Sequence, residues 1–259
     1  MPQVIGDFYS GTSNITLPVR NKQAFPVEFR DKSRLTFYAS LFNSLEVNSS
    51  FYKIPQPVTV EKWAASVPEN FRFTFKLWRE ITHNKSLTFS PDAVRRFMDT
   101  INRAGDKKGC LLVQFPPGQA FDLFGLDRLL AEIRSADEDN SWKIFLEFRN
   151  RSWYVEDIYE LLDQYSMGFV IHDLPASATP LNDVAGDFMY LRFHGPNGGY
   201  RGSYTDDFLY EHALYINEWM QDGKTIFSYF NNTMGDAVKN LQTLNRFVYE
   251  LMDGNVSDD

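Results

Sequence analysis

The chain is short of several things that would narrow its chemistry. A single cysteine, Cys110, among 259 residues excludes an internal disulfide or a cysteine-built zinc site. Its place at the start of an apolar run predicts a buried, inert thiol. No run approaches the ~20 apolar residues needed to cross a bilayer. The opening MPQVIGDFYS has neither the basic nor the apolar region of a signal peptide, so the expected location is cytoplasmic, with no membrane partner. There is no GxGxxG in the first strand–helix unit and no GxxxxGK[ST] anywhere, so dinucleotide and P-loop readings lack support and no cofactor is expected. Basic residues are outnumbered, 26 Lys and Arg against 34 Asp and Glu, for a net charge of −8. That balance argues against a general nucleic-acid binder, whose footprint is basic, but leaves room for a local basic pocket.

What is present is an alternating pattern. Hydrophobic content of 43% with 23% charge is ordinary for a folded domain. The aromatic load, 23 Phe, 13 Tyr and 5 Trp, reads mainly as bulky core packing. Eight short apolar runs predict strands at Phe8–Thr12, Leu45–Ser49, Arg72–Leu77, Cys110–Phe115, Lys143–Arg149, Gly168–Asp173, Phe188–His194 and Lys224–Asn231. The clearest is KIFLEFR at 143–149, where Phe145, Glu147 and Arg149 share one face and Ile144, Leu146 and Phe148 the other. Between most runs the period becomes helical: Leu35, Tyr38, Ala39 and Phe42 fit it, as do Val94, Phe97, Met98 and Ile101 behind a Ser90-Pro91 start. The last helices are expected over Asp206–Met220 and Asp236–Leu251. Only the sixth crossover, Leu174 to Asp187, reads as an irregular loop. The fold class is therefore α/β, a single (β/α)8 TIM-type barrel over residues 1–254 with the helix after strand six short or missing. Asn255–Asp259 is expected to be a disordered acidic tail.

In such barrels the active site lies at the C-terminal strand ends. Those ends supply Glu46 and Asn48, Lys76, Gln114, Glu147 and Arg149, His172, Arg192 and His194, then Tyr229 and Asn231. Residues two apart share the inward face, and a barrel built only for stability would fill these layers with Val, Ile and Leu. Same-face neighbours lie roughly 6.5–7 Å apart along a strand, so Arg149 should reach Glu147. Two carboxylates, Glu46 and Glu147, face three fixed cations, Lys76, Arg149 and Arg192, and the two histidines can add to the positive side. That surplus favours a phosphate or carboxylate held by guanidinium groups. A divalent metal would want a purer His and carboxylate cluster, Asp173 has outward parity, and neighbouring cations would repel the ion; no metal is expected.

The loop GPNGGYRGSY after strand seven adds Gly199 and Arg201 to the candidate ligand-binding set, since loops after strands seven and eight often hold phosphate. Asn231, Asn232 and Thr233 near the last helix would complete it. His83, beside Lys85 and downstream of Lys76, fits a lid contact to an anion. Phe51, Tyr52, Trp78 and Trp153 follow strand ends and can line a pocket wall or simply anchor loops.

The stretches SLEVNSSFYKIP, FRFTFKLWREITHNKSL, LLVQFPP, LEFRNRSW, LRFHG, GGYRGSY and YFNN together resemble the YecE-like family, domain of unknown function 72, in the family's order from about residue 8 to 245. The resemblance implies a TIM-type barrel and puts Glu46, Asn48, Tyr52, Lys76, His83, Gln114, Glu147, Arg149, Arg192, His194 and Asn231 at the family's motif positions. It implies no reaction. Two departures stand out. Asn14-Ile15 follows Gly11–Ser13 where the family has Gly-Trp, and Thr233 stands where an Asp is usual.

The leading functional reading is a metal-independent enzyme acting on a small anionic ligand. Glu46 or Glu147 would serve as general acid or base. Arg149, Arg192 and Lys76 would neutralise charge, with His194 alongside them; Lys76 could instead form a Schiff base if its cationic neighbours depress its pKa. One alternative is a nucleic-acid-binding or endonuclease-like phosphodiesterase barrel, in which the same pocket holds a backbone phosphate and Phe51, Tyr52 or Trp153 stacks a base. The other is a non-catalytic metabolite sensor.

Overall fold

Eight parallel strands and their intervening helices are seen in a computed structural model that describes residues 5–180 and 186–256. The strands are β1 (Phe8–Thr12), β2 (Ser44–Val47), β3 (Arg72–Lys76), β4 (Lys108–Phe115), β5 (Lys143–Phe148), β6 (Gly168–His172), β7 (Phe188–Phe193) and β8 (Thr225–Phe230). The helices are α1 (Arg34–Ala39), α2 (Ser49–Tyr52), α3 (Pro57–Ala65), α4 (Arg79–Thr82), α5 (Pro91–Ile101), α6 (Leu123–Ala136), α7 (Glu156–Gln164), α8 (Asp206–Gln221) and α9 (Ala237–Val256). The sheet runs β1-β8-β7-β6-β5-β4-β3-β2, the order of an eight-stranded barrel cut at one seam. Every expected strand is present, each within two residues of its expected ends.

The two-residue period separates two cores. Ile144, Leu146 and Phe148 join the large cluster between strands and helices, together with Leu45, Leu191 and Phe230. Phe145 points the other way, into a barrel interior shared with Cys110, Leu112, Val170, Tyr190, Phe227 and Tyr229. Cys110 is fully buried there, and burial pushes its thiol well above the ordinary range, which makes it a poor nucleophile. Helix starts follow their local chemistry: Ser33 and Thr205 accept hydrogen bonds from Thr36 N and Phe208 N, and Pro57 and Pro91 occupy first-turn positions. The sixth connection carries no helix among its described residues; residues 181–185 lie outside them. Helix α9 runs to Val256, into the segment expected to be a tail, of which residues 257–259 lie outside the described residues. No helix among those described is long and apolar enough to cross a membrane.

The seam between β1 and β2 closes by side chains. One parallel bridge, Ser13 to Glu46, joins the two strand ends. Below it, Ser10 N donates to Asn43 Oδ1 at 2.8 Å and Thr12 N to Tyr38 Oη at 2.7 Å. Asn43 Nδ2 donates to Phe8 O at 2.8 Å and the Tyr38 hydroxyl to Ser44 O at 3.0 Å. These groups satisfy β1 where a ladder would otherwise do so. The strands come so close that a Cβ on Gly11 would lie 2.1 Å from Ser44 O and 2.8 Å from the Tyr38 hydroxyl. Gly11→Ala is therefore expected to destabilise the protein by about 2 kcal/mol or more, because a backbone oxygen has no rotamer to move to. Urea denaturation checks this; an unchanged midpoint would mean that the seam is loose.

Candidate functional site at the barrel mouth

The C-terminal ends of β2, β5 and β7 bring four charged side chains into direct contact. Arg192 lies at the centre and is 1% exposed. Its Nε and Nη2 each donate to Glu46, to Oε2 and Oε1, at 2.8 Å. Its Nη1 donates to Glu147 Oε2, also at 2.8 Å. Arg149 closes on the other oxygen of Glu147 through Nε and Nη2. Glu46 is held further by Ser13 Oγ at 2.5 Å and by the Tyr190 hydroxyl. Both carboxylates are fully buried. Burial alone would raise the Glu46 carboxyl, but Arg192, Ser13 and Tyr190 outweigh it and hold the group below its ordinary value. Glu147 is opposed by the same burial and held well below its usual range by Arg149 and Arg192. The two arginines thus neutralise the two glutamates, and all four carboxylate oxygens have donors.

His194 has a defined tautomer. Its Nε2 lies 3.0 Å from Arg192 Nη1 and 3.1 Å from Arg149 Nη2. Guanidinium groups only donate, so Nε2 must be the acceptor and the ring proton sits on Nδ1. Nδ1 in turn donates to Asp173 Oδ1 at 3.2 Å, which also accepts from His194 N at 2.8 Å. The Tyr204 hydroxyl donates to the other Asp173 oxygen. Burial and the two guanidinium groups push His194 down to about 4, against the pull of Asp173 and Glu147. His172 is lowered as well, chiefly by burial, with Nε2 donating to Phe148 O at 3.1 Å. The expectation that the two histidines add positive charge is therefore corrected. Both are neutral at neutral pH, and Asp173 adds a third carboxylate.

Lys76, at the end of β3, is the exception in this network. It is half-buried and makes no ion pair among the described residues. Its ammonium sits 4.2 Å above the Phe51 ring. Burial first, then Arg192, lowers it to about 7, with Glu147 and Glu46 pulling the other way. His83 packs edge-on against the same Phe51 ring at 4.8 Å, and burial together with Lys76 lowers it to about 4. Tyr200 hangs over the arginine pair: its hydroxyl accepts from Arg149 Nη1 at 3.4 Å, and its ring lies 5.7 Å from that of His194. Among the described residues, no three His, Cys, Asp or Glu side chains are grouped so as to hold a metal ion.

The family model described as "Protein of unknown function DUF72" matches residues 9–255. The chain belongs to this family. It is 28% identical over 248 residues to the UPF0759 protein YunF of Bacillus subtilis, covering 83% of this chain and 86% of that protein. Its fold is similar to that of a DUF72 protein from Enterococcus faecalis, with a TM-score of 0.75 at 21% identity over 93% of this chain and 95% of that one. A DUF72 protein from Thermotoga maritima superposes with a TM-score of 0.73 at 23% identity, over 95% and 99% of the two chains.

Within this DUF72 barrel, the other candidate residues divide. Gln114 is buried beside Glu147 in register, with Nε2 donating to Phe115 O at 2.7 Å. Asn48 has a buried Oδ1 with no hydrogen-bond partner among the described residues. Tyr52 is 69% exposed and packs on Phe51. Asn231 is half-buried just past β8, its backbone N–H bonded to Phe193 O. Tyr229 lies deeper than expected, with its hydroxyl bonded at 2.6 Å to both Ser44 and Thr74 in the barrel interior. Asn232 Nδ2 ties Gly202 O to Asn240 Oδ1, a brace between the seventh loop and α9. Gly199 takes a φ of 72° and Arg201 is exposed; neither meets the charged network. Trp153 is an anchor, stacked on Phe148 and Phe115. Sequence reasoning missed Ser13, Tyr190, Tyr204 and the part played by Asp173. Tyr190 stands two residues before Arg192, so inward parity carries a signal for it.

Proposed function

We propose that the barrel mouth is the active site of an enzyme acting on a small anionic ligand, a carboxylate or phosphate, through the protein's own side chains and without a metal. The observation that carries this reading is Lys76, a cation left uncompensated where Glu46 and Glu147 are already neutralised. Arg149 Nη1 has, among the described residues, only the long contact to Tyr200. An anion can therefore meet two donors without displacing a buried ion pair. The metal-free part rests on the donor set, since the oxygens of Glu46, Glu147 and Asp173 and the Nε2 lone pair of His194 are taken by protein donors. The acid–base role falls to Lys76. Glu46 and Glu147 are held too strongly ionised to donate a proton near neutrality, and they serve instead to fix the arginines.

The segments that follow strand ends carry exposed Lys53, Arg79, Lys85, Arg151 and Arg201 with exposed Tyr52 and Tyr200, a basic rim interrupted by acids such as Glu80, Glu156 and Asp206. That rim favours a second reading, in which the anion is a phosphate of a single-stranded nucleic acid.

The test is thermal melting with inorganic phosphate and small carboxylates, in wild type, Lys76→Met and Arg149→Ala. Stabilisation by the anion is expected in wild type, and each variant should lose roughly tenfold to a hundredfold in affinity, the worth of one charge-assisted contact. Lys76 loses its charge as pH rises through about 7, so wild-type affinity for a small carboxylate, whose own charge is constant there, should fall across that range. Binding equal in all three proteins would overturn the reading. An oligonucleotide that binds far more tightly than free phosphate, with steep salt dependence, would favour the second.

A further inference from the structure

We propose that Lys76 is a Schiff-base nucleophile, whose Nζ condenses with the carbonyl carbon of a small aldehyde or ketone that carries a carboxylate or phosphate. This rests on the anion-site reading and adds the substrate's reacting group to it.

The geometry separates Lys76 from the two arginines of the charged network. Arg149 and Arg192 are committed to Glu147 and Glu46 through short hydrogen bonds. Lys76 touches the face of Phe51 and has no carboxylate within ion-pairing distance among the described residues. It is half-buried, not sealed in the barrel core. The Phe51 ring under the ammonium and the charge of Arg192 and Arg149 oppose its protonation, against the weaker pull of Glu147 and Glu46. These surroundings favour the neutral, nucleophilic form. Near neutral pH a substantial share of the amine is then free, whereas an exposed lysine is almost wholly protonated.

The chemistry closes without an oxidant or reductant. The Nζ lone pair attacks the carbonyl carbon, the π electrons pass to oxygen, and that oxygen takes up a proton while nitrogen gives one up. The resulting carbinolamine loses its hydroxyl, with a further proton, as water. The nitrogen lone pair forms the C=N bond. Amine plus carbonyl thus gives imine plus water. The ligand's anionic group would lie against Arg149 Nη1.

The test is reductive trapping on the full chain near neutral pH. Borohydride is added with glyoxylate in one arm and dihydroxyacetone phosphate in the other, and adducts are located by peptide mass mapping. The expected result is an adduct on Lys76 exceeding those on exposed Lys53 and Lys85 by about tenfold or more in at least one arm. Inorganic phosphate should suppress it, and Lys76→Arg should abolish it. Should Lys76→Arg fail to fold, suppression by phosphate in wild type serves as the control. Labelling spread evenly over surface lysines, or none at Lys76 in either arm, overturns the proposal. The anion reading fails separately: if phosphate raises the melting temperature but Lys76 stays unlabelled, the anion site stands and the Schiff base falls. If Lys76 is labelled equally by propionaldehyde and is indifferent to phosphate, the nucleophile stands and the anion site falls.

Discussion

Arg192→Ala is expected to cost the protein most of its stability at neutral pH. The side chain supplies three hydrogen bonds to two carboxylates that have no access to water. Removing it leaves Glu46 with two hydroxyl donors and no counter-charge, and leaves Glu147 with Arg149 alone. Breaking one buried ion pair in this way costs about 3–5 kcal/mol, and here two are broken. That is comparable with the whole margin of an ordinary domain, roughly 5–15 kcal/mol. The pH dependence identifies the cause. In wild type, Glu46 and Glu147 are held below their unfolded values, so the stability they contribute is present above about 4.5 and lost as pH falls through their folded values. Without Arg192, burial dominates at Glu46 and raises its folded pKa. The variant's penalty then grows as pH rises and shrinks on acidification. Urea denaturation at pH 7 and pH 5 should show the gap to wild type narrowing at the lower pH. Arg149→Ala is the contrast, since Glu147 keeps Arg192; its cost should be about 1.5–3 kcal/mol, the worth of hydrogen bonds to a charged group. A variant at position 192 within 1 kcal/mol of wild type, on the scale of an ordinary hydrogen bond, would mean that the network does not hold the barrel mouth together.

The network shows what alternation alone can and cannot reveal. Period-two spacing was enough to place Glu46, Glu147, Arg149, Arg192 and His194 on one inward face, because one β-strand face is specified by residue number alone. The same rule covers Tyr190, whose hydroxyl on Glu46 was not anticipated, and Ser13, two residues past Gly11. Asp173 escaped the rule. It follows the end of β6, where alternation no longer holds, and its carboxylate turns to meet His194. The seam was equally hidden: nothing in the pattern tells that Asn43 and Tyr38 would stand in for a β1–β2 ladder. Charge counting misled for a related reason. Three fixed cations against two carboxylates reads as a surplus, yet Asp173 adds a third carboxylate, and it is the pairing geometry that leaves Lys76 without an ion pair among the described residues.

That pairing also bears on why a barrel would bury so many charges. A paired ionic cluster is weak evidence of stabilisation, since well-packed apolar residues often do as well or better. Four interlocked charges do give two arginines and one imidazole fixed orientations with no side-chain freedom left. Arg149 then holds Nη1 toward the Tyr200 hydroxyl, and Lys76 is left as the group whose charge changes near neutral pH. A preorganised site needs such rigid support around the reacting group.

Acidification from pH 7 to pH 5 is expected to remove several kcal/mol of stability before any carboxylate of the mouth titrates. All four histidines of the chain are pushed below their ordinary value, each chiefly by burial: His83 and His194 to about 4, His172 and His212 in the same direction. For a base whose folded pKa is depressed, the unfolded chain takes up the proton first. Between about 6.5 and 4 the unfolded state therefore binds more protons, and stability falls as pH falls. His194 is fully buried, and by pH 5 its share is about 2 kcal/mol, from 1.36 kcal/mol per unit over the interval below its unfolded value. His83 is half-buried and contributes less, because solvent screens it. The test is urea denaturation at half-unit steps from pH 7.5 to 5, with His194→Gln beside wild type. The variant cannot take up a proton at this position, so its stability should decline less steeply over the window even if it is less stable at pH 7. Parallel slopes in the two proteins would show that His194 takes up its proton as readily in the folded as in the unfolded state. The assignment of its Nε2 as an acceptor between two guanidinium groups would then be wrong.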